Sequence, residues 1–130
     1  MTEVILAFDF GLKHIGVAVG QSITRSASPL TTLAAKNGNP DWRAVNELVA
    51  HWRAAALVVG LPLNMDDTES EMSERARAFA DALESRTGVA VILVDERLTS
   101  FAASQISSED NHALAASLIA ETYLNSSEPR

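Results

Sequence analysis

The sequence predicts an α/β fold: a mixed five-stranded sheet in the order βββαβαβα, flanked by helices. Three observations predict it. Short apolar runs with no polar face occur at 4–8, 55–59 and 89–94, the pattern of strands covered on both sides. Stretches of helical periodicity lie between and after the later runs, which supplies the cover and allows parallel pairing through crossovers. The first run is followed by only a short glycine-containing turn, which predicts a hairpin.

Residues 3–10 and 14–20 read as the first two strands, antiparallel across the turn Gly11-Leu12-Lys13. A third strand is placed at Ser28–Ala34. Asn39 as N-cap and Pro40 at the first helical position open the first helix, whose apolar face is Trp42, Val45, Leu48, Val49 and Trp52. On that face both tryptophans read as core. "AALVVGLP" holds a strand at Ala55–Val59 that ends at Gly60. Thr68 with Glu71 matches a capping box for the second helix, lined by Met72, Ala76, Phe79, Ala80 and Leu83 and stopped by Gly88. Val89–Val94 is the last strand, and "NHALAASLIAETYL" is a final amphipathic helix before a polar tail at about 125–130. The strands at 3–10, 55–59 and 89–94 are expected in parallel at the sheet centre, with the hairpin partners toward an edge. All of 1–130 reads as one domain.

Composition narrows the class. The chain is 47% hydrophobic but 5% aromatic, so aliphatic residues and alanine must fill the core. It has no cysteine, which excludes disulfides and thiolate metal sites. No apolar stretch reaches the roughly 18 residues of a membrane span, and the N-terminus lacks signal-peptide sections. A cytoplasmic protein with no membrane partner is the expectation. A net charge of −7 argues against broad, nonspecific coating of nucleic acid, which relies on many phosphate contacts. A nuclease stays open, because a bound cation can hold phosphate on an acidic protein.

In open sheets of this kind, ligands bind beyond the carboxyl ends of the central strands. Asp9, Gly60 and the pair Asp95-Glu96 all fall there. Burying an unpaired carboxylate costs several kcal/mol unless a partner or metal takes the charge. Asp9 and Glu96 can therefore meet at one end of adjacent strands. The plain alternatives are a turn-capping Asp9 and an exposed Glu96 paired with Arg97. Strand alternation lets only one of Asp95 and Glu96 face the site.

These residues resemble the YqgF/RuvX family of RNase H-like nucleases. "AFDFGLKHIGVAVG", "VVGLPLNMDDT" and "DERLTS" match its three signature blocks in order, and "ALAASLIAETYL" matches its last helix. The resemblance spans nearly the whole chain. It implies an RNase H-like sheet and a Mg²⁺- (or Mn²⁺-) dependent nuclease that hydrolyses phosphodiesters. The implied substrate is 16S rRNA precursor, processed at its 5′ end in ribosome biogenesis, with RNA favoured over DNA. The older family label implies the alternative of a Holliday junction resolvase in DNA recombination and repair. A catalytically weakened RNA binder is a third reading.

The resemblance makes Asp9 a bridging ligand of two metals and Glu96 the second ligand. The family usually carries Asp at the start of the last helix, where this sequence has His112, with Asp110 two residues earlier. The segment before that helix is also about ten residues shorter than the family norm. Helical spacing aligns His112 with Ala115, Ala116, Ile119 and Tyr123, whereas Asp110 suits an N-cap. His112 would bind metal or shuttle protons; Asp110 would replace it if the helix shifts by a turn; or the third ligand is missing. Lys13, His14 (often Arg in the family) and Arg97 are candidate phosphate contacts or ordinary surface charges. Asn64 and Thr68 would bind substrate backbone or order their loop.

Overall fold

The computed structural model describes residues 3–62, 70–95 and 112–126. Its sheet has six strands: β1 (Val4–Asp9), β2 (His14–Gln21), β3 (Ser26–Lys36), β4 (Asn39–Pro40), β5 (Ala56–Leu61) and β6 (Val91–Asp95). Among the described residues three helices accompany them, α1 (Trp42–Trp52), α2 (Glu71–Thr87) and α3 (His112–Ser126). The spatial order is β4-β3-β2-β1-β5-β6. β1 pairs antiparallel with β2 and parallel with β5, and β5 pairs parallel with β6, so the sheet is mixed as expected.

Side chains of β1, β2 and β5 alternate between two cores. Leu6, Phe8, Ile15, Val17, Leu57 and Val59 pack with Val45 and Val49 of α1 and with Phe79, Ala80 and Leu83 of α2. Ile5, Ala7 and Val58 face the other way and pack with Ile119, Ala120 and Leu124 of α3. This double burial explains why β1 and β5 carry no polar face. Trp42 and Trp52 lie half-buried against the first core, as their helical spacing implied.

Four details differ from the expectation. A sixth strand exists because Asn37-Gly38 forms a two-residue loop with φ of 53° and 85°, turning Asn39–Pro40 back onto Ala35 and Lys36. Positive φ at both positions is the geometry a tight hairpin favours, and Asn-Gly is its strongest short signal. Asn39 is thereby used in a strand, and the cap of α1 passes to Asp41, whose Oδ1 accepts the Arg43 N–H at 3.0 Å. The cap of α2 is Ser70 with Ser73 in a reciprocal box, rather than Thr68 with Glu71. Ser73 is buried and its hydroxyl also donates to the Pro62 carbonyl, so the cap ties α2 to the end of β5. Finally, β6 is an edge strand rather than a central one. Its side chains are accordingly less buried than those of β1 and β5.

Candidate active site

Asp9 is the last residue of β1 and is half-buried. By alternation it shares a face with Ile5 and Ala7, the face covered by α3. Directly across the hairpin its partner is Gly16. A Cβ on Gly16 would collide with the carbonyl of His112 and approach Ala113 N to 2.8 Å. The first turn of α3 therefore lies directly on β2, beside Asp9, and this approach requires glycine at 16.

β2 prepares that surface along its length. Gly16, Ala18 and Gly20 occupy alternate positions on the α3 face, so helix backbone can come close to strand backbone. Further along, a Cβ on Gly20 would meet only side-chain ends, Leu124 Cδ1 at 3.1 Å and Ile5 Cγ1 at 3.2 Å. The glycine and alanine alternation was visible in the sequence, but its role needed the helix to be in place. Gly16 is the site-forming residue that the motif reading passed over.

His14 opens β2 on the same face, two residues before Gly16, and its ring is exposed. His112 opens α3 and is half-buried. Their rings stack, with centroids 4.9 Å apart and an interplanar angle of 19°. Lys13 is exposed on the preceding turn, whose carbonyl accepts the Ala35 N–H at 2.8 Å. Asp9, His14 and His112 thus converge at one end of the sheet. Asp95 does not join them: it has the parity of Val91 and Leu93, which face the α1/α2 core. Glu96, Arg97, Asn64, Thr68 and Asp110 lie outside the described residues.

Chemically, this end of the sheet offers one carboxylate and two imidazoles within a backbone frame held by β1, β2 and α3. Among the described residues, no group of three His, Asp or Glu side chains is placed to hold a metal ion. Of these donors, only the Asp9 carboxylate is of the oxygen type that Mg²⁺ prefers.

The RuvX: Holliday junction resolvase family model matches residues 3–126. The chain belongs to that family. Among its RuvX-like relatives, proteins named "Putative pre-16S rRNA nuclease" are closely similar. The one from Nitrosococcus oceani is 52% identical over 79% of this chain and 68% of its own length. The one from Azotobacter vinelandii is 57% identical over 78% of this chain and 71% of its own. Solved structures share the fold at low identity. Thermus thermophilus RuvC in complex with Holliday junction substrate aligns with a TM-score of 0.61 at 14% identity, covering 95% of this chain and 94% of that one. The fowlpox virus Holliday junction resolvase aligns at 0.55 and 12% identity, covering 95% and 99%. In this RuvX chain the His14 and His112 rings stack, so a change at one alters the surroundings of the other.

Proposed function

We propose that this protein is a Mg²⁺- or Mn²⁺-dependent nuclease that processes the 5′ end of 16S rRNA precursor in the cytoplasm. One observation carries the reading: Asp9 closes a buried central strand directly across from the glycine on which the first turn of α3 rests. In a family of nucleases, that is where a metal-holding carboxylate and a helix-borne ligand are needed together. The names of the relatives at 52–57% identity support the rRNA substrate.

In this reading Asp9 and Glu96 hold the metal through oxygen, and His112 adds a ligand or moves a proton at its imidazole. Asp110 takes that place if the helix start shifts. When bound, the metal polarises the phosphoryl group and lowers the pKa of an attacking water. His14 steadies the His112 ring by stacking, while Lys13 and Arg97 meet phosphate, and Asn64 meets the substrate backbone.

The test compares Mg²⁺- and Mn²⁺-dependent cleavage of RNA resembling the 16S 5′ leader with cleavage of four-way DNA junctions. Faster RNA cleavage, abolished by Asp9→Asn without loss of thermal stability, is expected. An active Asp9→Asn protein refutes the site. Preferential, symmetric junction cutting favours the second reading, a resolvase, which the family description supports.

A further inference from the structure

On the face of the sheet opposite Asp9, four aromatic side chains among the described residues meet. The Phe79 ring of α2 lies 5.9 Å from Phe8, 5.2 Å from Phe10 and 5.8 Å from Trp42, centroid to centroid. Protein interiors normally close over such a cluster. Here a cleft of about 150 Å³ remains, bounded chiefly by Phe10, Trp42, Phe79, Asn37, Asn39 and Arg75. That volume is comparable to an enclosed cavity that takes up one benzene ring, although this cleft is open on one side.

The rim is cationic and polar, although the chain carries −7. Arg75 donates from Nη1 to Asn37 Oδ1 at 3.2 Å, and its Nε lies 3.5 Å from Glu71. That ion pair is exposed, with Glu71 82% accessible, so it contributes little and Arg75 can exchange it for another anion. The Arg86 guanidinium sits 4.7 Å from the centre of the Trp42 ring. Asn37 and Asn39 place amide donors and acceptors at the mouth.

The cleft is also tied through the backbone to the strand end that carries Asp9. Phe10 is the residue after Asp9, on the opposite side of the strand end. Gly38 on the rim donates its N–H to the Leu12 carbonyl at 2.9 Å, joining the rim to the turn that carries exposed Lys13.

We propose that this cleft receives an unpaired nucleobase of the nucleic-acid substrate, packed against Trp42 and Phe10, with Arg75 and Arg86 on the flanking phosphates. The proposal rests on the nuclease reading for its ligand class. An apolar peptide side chain would fill the same space but leave the two arginines and the asparagine edge without a role. Aromatic side chains accept any base, because every base has a π-face. The cleft therefore selects for single-strandedness near the cut rather than for sequence.

The experiment measures binding of a fluorescein-labelled single-stranded RNA of about twelve nucleotides, and of the blunt duplex of the same sequence, in metal-free buffer. Wild type is expected to prefer the single strand. Trp42→Leu should weaken single-strand binding roughly 5- to 150-fold, the range for loss of one stacked base, and leave duplex binding nearly unchanged. Trp42→Phe, which keeps a ring, should lose little, and Glu71→Gln should tighten binding by releasing Arg75. If Trp42→Leu fails to fold, Trp52→Phe leaves Trp42 as the sole tryptophan, and its fluorescence should be quenched by the single strand. Unchanged affinity in a folded Trp42→Leu protein, absent quenching, or no single-strand preference overturns the proposal. Asp9→Asn separates the two readings. It should keep this binding while losing cleavage, whereas a wild type that shows the Trp42 effects without cleaving RNA or DNA refutes the nuclease reading alone.

Discussion

Replacing Gly16 by alanine tests how the site is assembled. The added methyl would overlap the His112 carbonyl and come within 2.8 Å of Ala113 N, against the 3.4–4 Å of ordinary contact. Both atoms are backbone, so no rotamer change relieves the clash, and the start of α3 must retreat from β2. Overpacking of this kind costs about 1–3 kcal/mol. For a chain of this size that corresponds to a fall in Tm of roughly 3–15 °C. The retreat also carries His112 away from Asp9 and breaks its stack on His14, and a misplacement of about 1 Å can cost about 100-fold in rate. Gly20→Ala is the control, because its new methyl meets the ends of Leu124 and Ile5, which can rotate. Thermal unfolding followed by circular dichroism, with cleavage rates on the 16S leader RNA, reads both effects. A Gly16→Ala protein with wild-type Tm and rate, or one no worse than Gly20→Ala, refutes the placement of α3 on β2.

His112→Ala should lower the cleavage rate by about 10²–10⁴, the range of acid–base contributions, while His112→Asp should retain or raise it because Mg²⁺ prefers oxygen. If Asp110→Ala is instead the more damaging of the two alanine variants, Asp110 is the ligand; if neither matters in an active protein, the helix supplies none. His14→Ala should reduce the rate less than His112→Ala, since His14 acts by positioning the neighbouring ring; a larger loss would assign it direct contact with substrate. In the cap of α2, Ser70→Ala should cost about 1 kcal/mol. Ser73→Ala should cost more, about 1–3 kcal/mol, because it also removes the donor to the Pro62 carbonyl; urea unfolding ranks the two, and the reverse order refutes this account.

The sequence by itself determined the number and type of the main elements, and the reason is periodicity. Apolar runs without a polar face, at Val4–Phe8 and Leu57–Val59, can be satisfied only by cover on both sides, and the helical stripes supply it. It also determined that Asp9 ends a buried strand, because an aspartate after five apolar residues has nowhere else to be. Local competition was harder to read. Asn37-Gly38 is a hairpin signal, and it drew Asn39 and Pro40 into a strand that the helix-capping rule would have placed at the start of α1. Capping chemistry is short-range and several residues near α2 satisfy it; Ser70 takes the role, with Ser73 completing the reciprocal box and donating to the Pro62 carbonyl. Only the tertiary structure decided the rest. Whether β6 is central or at an edge depends on pairing partners that no local pattern specifies. The role of Gly16 exists only once α3, some hundred residues later in the chain, lies against it. The stack of His14 on His112 and the open aromatic cleft beside Trp42 are likewise contacts between distant segments, made by the packing of α1 and α2 onto one face of the sheet and α3 onto the other.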